Sequence, residues 1–97
     1  MNLFDSIVPL EGETFTTLLE HKNIKIVRIV SSKDLQPTTY TQEEDEWVLL
    51  IQGQATLTID NQKKVLLQGE SIFIPALTPH RVERAEEGTI WLAVHIY

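Results

Sequence analysis

The sequence contains no cysteine among its 97 residues. This absence excludes iron–sulfur clusters, cysteine-based zinc sites and thiol catalysis. It also fits a reducing compartment, because small secreted domains are often stabilised by disulfides, so we predict a cytoplasmic location. The N-terminus lacks a basic start followed by an apolar run. The longest apolar run, from Trp47 to Ile51, is far shorter than the ~20 residues that span a bilayer. We therefore expect neither a signal peptide nor a membrane partner.

Basic residues are scarce: 8 Lys and Arg stand against 14 Asp and Glu, which gives a formal net charge of −6. No Lys/Arg run offsets this charge, so we expect no nucleic-acid partner, since a phosphate backbone is itself anionic. The hydrophobic fraction of 42% and the charged fraction of 23% are ordinary for a globular protein and argue against disorder. The length predicts a single domain that spans residues 1–97.

Short runs rich in Thr, Val, Ile and Leu, separated by turn residues, dominate the chain. They predict strands at residues 13–19, 24–30, 47–51, 55–59, 64–67, 71–74, 80–84 and 90–96. Residues 21–23 are predicted to form a hairpin turn, and so are Asp60 and Asn61, which tolerate positive φ. Short strands at this near-regular spacing predict an all-β sandwich or barrel.

An acidic run, EEDE at residues 43–46, precedes the third predicted strand. Most such runs are solvated loops that keep an edge strand soluble. Alternation along the strand modifies this interpretation for Glu46, because Glu46 shares a face with Val48 and Leu50 if those two side chains point into the core. A carboxylate at the mouth of a barrel needs a metal, an Arg or water as its partner.

The three histidines are the other candidate functional residues. His80 follows Pro79 at the start of a strand, and a lone histidine there is more often a half-buried donor to a backbone carbonyl than a ligand. His95 shares the more polar face of the last strand, which faces either the barrel interior or the surface. His21 lies in a turn and is expected on the surface. No Ser-His-Asp context or phosphate-binding Gly-rich loop accompanies them, so the sequence predicts a pocket without a nucleophile.

Two segments resemble the two sequence motifs of the cupin superfamily. Residues 46–53, EWVLLIQG, have six residues between Glu46 and Gly53, like the second half of the first motif. Residues 69–80, GESIFIPALTPH, have the spacing Gly, five residues, Pro, four residues, His of the second motif. Fifteen residues separate Gly53 from Gly69, as in small microbial cupins. The resemblance covers about half of the chain and implies an antiparallel double-stranded β-helix, or jelly-roll barrel. It leaves the function open, because cupins include dioxygenases, isomerases, decarboxylases, storage proteins and binding modules.

The resemblance also implies a metal site of three His and one Glu, of which this chain keeps Glu46 and His80. The positions of the usual His-x-His pair hold Tyr40 and Gln42, or two threonines, 39 and 41, in the longer spacing. A Glu and a His alone bind a divalent ion poorly, because an open site wants three protein ligands. Gln42, Tyr40 and His95 are candidate third ligands for a Zn, Ni, Fe or Mn ion. In this respect the chain resembles a subgroup of small cupins whose activity is not established.

Two alternatives need no metal. Glu46 and His80 could form an acid–base pair in an apolar cup, or Arg84 and His80 could together receive the carboxylate of a ligand. The predicted barrel interior is lined by Val48, Leu50, Ala55, Leu57, Ile59 and Val82. The predicted ligand pocket comprises Tyr40, Gln42, Val48, Leu50, Leu57, Val82 and Arg84.

Three functions therefore remain open: a metal-dependent enzyme, a metal-free module that binds or senses a small organic ligand such as a carboxylate, and a structural assembly domain. We expect a homodimer in each case. The outward-facing side chains of Trp47, Leu49 and Ile51 would form an apolar patch, and such patches are rarely left in water.

Overall fold

The computed structural model describes all 97 residues and contains eight β-strands and no helix. Nothing in it meets the length and hydropathy that a membrane-spanning helix requires. The strands are β1 (Glu13–His21), β2 (Ile24–Ser31), β3 (Asp45–Gln52), β4 (Ala55–Ile59), β5 (Gln62–Leu66), β6 (Ser71–Ile74), β7 (His80–Ala85) and β8 (Thr89–Ile96). The all-β prediction is confirmed, with strand ends that differ from the predicted ones by at most two residues.

The strands form two antiparallel sheets whose inner faces pack together. The larger sheet has the order β1-β2-β8-β3-β6, and the smaller has the order β5-β4-β7. Strand β8 lies at the centre of the larger sheet, between β2 and β3. The last strand of the chain is therefore placed beside the strand that holds the acidic run.

The predicted hairpin turns form as expected. Asp60 and Asn61, with φ of 49° and 65°, connect β4 to β5, and two positive φ values are the mark of a tight type I′ hairpin turn. Lys22, with φ of 52°, and Asn23 connect β1 to β2. Strand β3 begins at Asp45, two residues earlier than predicted, so Glu46 belongs to the strand and obeys its alternation.

The core lies between the two sheets and follows the period-two patterns of the sequence. Along β3, Val48 and Leu50 are buried, while Trp47 and Leu49 face outward. Burying one such aliphatic side chain stabilises the fold by about 1.5–3 kcal/mol. The buried cluster comprises Val48, Leu50, Ala55, Leu57, Ile59, Leu66, Ile74, Ala85, Trp91 and Ala93.

Gly53 lies where the chain leaves the larger sheet and enters the smaller one. Its φ is +91°, and a Cβ built at this position would lie 2.5 Å from Thr89 Oγ1 and 3.0 Å from Thr89 Cα. Thr89 is fully buried and donates to the carbonyl of Glu86, so it has little room to move. Only glycine can adopt this φ without strain and also fit against Thr89, because it has no side chain.

Gly53→Ala is therefore expected to lower the free energy of unfolding by about 2–4 kcal/mol, the sum of left-handed strain and overpacking. Gly69→Ala is the matched control, because Gly69 has a φ of +87° and open space around its missing side chain. That variant should lose only about 1–2 kcal/mol. Urea unfolding measures both. Equal losses would show that the contact with Thr89 is unimportant.

Candidate functional site

A cavity of about 340 Å³ opens between the sheets and is closed on one side by the segment of residues 35–42. This volume corresponds to roughly eleven water molecules and lies in the range of small-molecule sites. The structure places most of the sequence-predicted site residues in its wall. They are Tyr40, Gln42, Glu46, Val48, Leu57, His80, Val82 and His95.

Glu46 points into the cavity because it follows the inward face of β3, and it is only 6% exposed. Gln42 Nε2 donates a hydrogen bond of 2.7 Å to Glu46 Oε1. His80 Nε2 lies 3.7 Å from Oε1, and His95 Nε2 lies 3.9 Å from Oε2. Each carboxylate oxygen therefore faces a different imidazole, at a separation longer than a hydrogen bond.

His80 is held at the cavity mouth by contacts on both sides. Its backbone N–H donates to the carbonyl of Tyr40 at 3.0 Å, and the Tyr40 N–H donates back at 2.8 Å. The His80 ring lies 2.9 Å, through Nδ1, from the carbonyl oxygen of Thr78. A carbonyl only accepts, so Nδ1 carries a proton and Nε2 is the atom that faces Glu46. The donation to a backbone carbonyl expected of a half-buried histidine is present, and it orients the ring toward the cavity.

His95 lies in the cavity, which answers a question that the sequence left open. In the register of the larger sheet it pairs directly with Glu46 of β3. Its Nδ1 lies 2.9 Å from Glu44 Oε2, so Glu44 holds one side of the imidazole and Glu46 faces the other side at 3.9 Å. Alternation placed His95 on the face of Trp91 and Ala93, and the burial of those two side chains makes that face the inner one.

Tyr40 and Gln42, at the positions of the usual His-x-His pair, both line the cavity. Their segment is joined to the smaller sheet through the bonds between Tyr40 and His80, and its other end is held by a bond from the Leu77 N–H to the Gln42 carbonyl at 2.7 Å. The Tyr40 ring is tilted against the His80 ring, with centroids 6.2 Å apart. These contacts place the Gln42 amide beside Glu46 and the Tyr40 ring beside His80.

Two residues of the predicted pocket lie outside the cavity wall. Leu50 is fully buried in the core beneath it. Arg84 is exposed, because β7 has a bulge opposite the step from Thr56 to Leu57. The extra residue reverses the alternation, so that Ala85, rather than Arg84, follows Val82 on the inner face. The expected pairing of Arg84 and His80 around a ligand carboxylate does not fit this geometry.

The cavity wall also contains three charged residues that the sequence motifs do not indicate: Glu13, Lys25 and Arg81. Glu13 and Lys25 follow the inner faces of β1 and β2, so strand alternation could have identified them. Lys25 Nζ lies 3.9 Å from Glu20, and Arg81 donates to Glu83 at 2.9 and 3.1 Å. Hydrogen bonds from Arg81 and Thr58 lower the pKa of Glu83. Both cations of the wall therefore already have anionic partners.

No group of three or more His, Cys, Asp or Glu side chains is arranged as a metal site in the structure. The separations of 3.7 and 3.9 Å around Glu46 are longer than the about 3.4 Å between neighbouring ligand atoms of a tetrahedral zinc ion. The donor types nevertheless suit a divalent ion. Both imidazoles engage an acceptor through Nδ1 and leave Nε2 on the cavity side, which is how metal-bound histidines are usually oriented.

Comparison with known proteins identifies the same fold. A structure from Ralstonia eutropha JMP134, described as a candidate mannose-6-phosphate isomerase, is 36% identical, with a TM-score of 0.86 and coverage of 99% of this chain and 95% of that one. An RmlC-like cupin from Shewanella frigidimarina is 19% identical, with a TM-score of 0.80 over 92% and 83% of the two chains, and supports the fold alone.

An uncharacterised protein of Methanocaldococcus jannaschii is 41% identical over 54 residues, which are 56% of this chain. The match spans only 42% of that relative's length. The family model described as the cupin domain matches residues 26–95, a span that includes Glu46, His80 and His95. The jelly-roll prediction is thereby confirmed, and the chain belongs to the cupin family.

Proposed function

We propose that this cupin binds a small organic molecule in the cavity, with Glu46, His80 and His95 as its polar anchor. The supporting observation is the buried Glu46 carboxylate, whose two oxygens face two different imidazoles beyond hydrogen-bond distance. An ionised carboxylate accepts about four hydrogen bonds, and Glu46 receives one, from Gln42. The remaining capacity is available to donors of a ligand. An imidazole–carboxylate pair of this kind also suits proton transfer to and from a bound molecule.

The activity suggested for the Ralstonia relative is a weaker candidate for this chain. A sugar phosphate requires cationic partners, and the two cations of the cavity wall, Lys25 and Arg81, are paired with Glu20 and Glu83. Whether the chain is an enzyme stays open. The cytoplasmic location and the exclusion of nucleic-acid and membrane partners stay predictions from the sequence.

A second candidate function is divalent-metal binding by the same cluster. The observation that favours it is the orientation of His80 and His95, whose Nδ1 atoms contact Thr78 and Glu44 and whose Nε2 atoms face Glu46. Two imidazoles and one carboxylate are the donor set of non-haem iron sites, and they also suit zinc, nickel or manganese. Gln42 could add an amide oxygen after rotation of its side chain. A bound ion would supply Lewis-acid polarisation of a ligand carbonyl.

We also propose that the chain forms a homodimer through the outer face of the larger sheet. Trp47 is 36% exposed there, beside Phe73 of β6, which is 52% exposed and is its register partner. Leu49 and Val94 continue the same face and are partly exposed. An apolar surface of this kind favours association with a second copy.

The binding proposal predicts that small molecules that stabilise the protein in a thermal-shift screen lose affinity when the anchor is changed. In Glu46→Gln the affinity should fall by about tenfold or more, because a charged hydrogen-bond acceptor is lost. Glu43→Gln is the matched control, since Glu43 is exposed and the charge change is the same. Ligands that bind wild type and the Glu46 variant equally would refute the proposed anchor.

The metal candidate predicts about one Mn, Fe, Ni or Zn ion per chain in untagged protein incubated with each ion and then desalted. Elemental analysis by mass spectrometry gives the content. His95→Ala should reduce it several-fold, because an open site needs three protein ligands. His21→Ala should not, since His21 is exposed at the end of β1. If no metal is detected after incubation with any of the four ions, the metal-binding candidate is wrong, and metal-free binding of a small molecule remains.

The dimer proposal predicts a mass near 22 kDa by light scattering, twice the chain mass of 11.1 kDa. Trp47→Lys should shift the protein to the monomer mass, because it places a charge in the apolar face. Val65→Lys, on the smaller sheet and 62% exposed, should leave the mass unchanged. A wild-type monomer would contradict the proposed dimer.

A further inference from the structure

A chain of buried hydrogen bonds fixes a second carboxyl in the cavity wall. Trp91 is 2% exposed, and its Nε1–H, its only polar group, donates to Ser31 Oγ at 2.9 Å. Ser31 is fully buried, and its hydroxyl proton is donated to Glu13 Oε2. Three strands thus determine how the Glu13 carboxyl is turned. No protein donor forms a hydrogen bond to Oε1, so this oxygen keeps its acceptor capacity on a residue that lines the cavity.

Glu13 lies at the end of the cavity opposite to Glu46. It pairs with Ser31 in the sheet register, whereas Glu46 shares a row with His95 and Lys25. Ser31 lies six positions beyond Lys25, which corresponds to about 20 Å along strand β2. Glu13 therefore contacts a different part of a ligand, or a different ligand, from the one that Glu46 contacts.

The Glu13 carboxyl has no cationic partner. No Lys, Arg or His nitrogen forms an ion pair with it. The two cations of the cavity wall lie toward the Glu46 end, Lys25 beside His95 and Arg81 beside His80, where Glu20 and Glu83 are their partners. Burial raises the pKa of Glu13, and the hydrogen bond from Ser31 only opposes that rise. A cation that enters this end would supply the missing counter-charge, whereas an anion would be repelled by a protein of net charge −6.

Apolar side chains surround Glu13 on the inner face. Phe15 lies two residues along β1 on the same face and is 57% exposed, so its ring is available to a ligand. Ile29 is the register partner of Phe15, and Leu35 closes the wall. An ammonium group beside an aromatic ring gains a cation–π contribution, and the carbon skeleton of an amine would cover the exposed ring.

We infer that the Glu13 end of the cavity binds the ammonium group of a small organic amine, with its apolar portion against Phe15 and Ile29. This inference rests on the proposed small-molecule function and specifies its ligand class. It also replaces the carboxylate ligand expected from the sequence, because the cation on which that expectation depended, Arg84, lies outside the cavity.

The test compares benzylamine, protonated at pH 7.5, with benzyl alcohol, its neutral counterpart of nearly the same shape. Each is titrated into ¹⁵N-labelled full-length protein, and the dissociation constants are taken from the amide shifts of β1 and β2. Wild type should bind benzylammonium about tenfold more tightly than benzyl alcohol, the effect of one charge-assisted hydrogen bond. Glu13→Gln should reduce this ratio to near one.

Glu11→Gln is the matched control, because Glu11 is exposed and lies two residues before Glu13, and it should keep the tenfold ratio. Phe15→Ala is a second variant on an exposed side chain and should weaken both probes. If benzyl alcohol binds and the ammonium preference is absent, or survives in Glu13→Gln, the amine inference is wrong and the binding function of the cavity stands. If neither probe shifts β1 or β2, the amine inference fails, and the Glu46 screen tests the binding function separately.

Discussion

The packing of the two inner sheet faces is the constraint on which the site depends. Leu50, Trp91 and Ala93 must be buried against the smaller sheet, and this requirement determines the faces of β3 and β8. Once those faces are set, alternation leaves Glu46 and His95 side by side at the end of the same two strands, where the core gives way to the cavity. A shift of one residue in either strand would send the polar side chain of that strand to the opposite face.

The polar cluster is stabilised by the groups that replace water around Glu46. A buried carboxylate is costly unless it is hydrogen-bonded, and Gln42 supplies the one short bond. The imidazoles stay further away because each is held through Nδ1 by another acceptor, Thr78 or Glu44. At the positions of the usual His-x-His pair, Tyr40 and Gln42 supply a phenol and an amide in place of two imidazoles, and the amide donates to Glu46.

One local departure from regular geometry alters the charge of the cavity. The bulge in β7 turns Arg84 outward, and the wall keeps only cations that are already paired. The carboxyl groups of Glu13 and Glu46 line this cavity, and Arg84 is not there to offset them.

The sequence by itself determined the fold class, the turn at Asp60 and Asn61, and the inward direction of Glu46, because these follow from local propensity and from alternation within one strand. The motif resemblance added the jelly roll and the pairing of Glu46 with His80. Tertiary structure alone decided that His95 faces the cavity, since both faces of β8 are mainly apolar and only the neighbouring strands distinguish them. Tertiary structure also decided that Arg84 points away from the cavity, because one extra residue in β7 reverses the alternation of its side chains. The link from Trp91 through Ser31 to Glu13 contains a hydrogen bond between residues 60 positions apart, and a local sequence pattern carries no information at that separation.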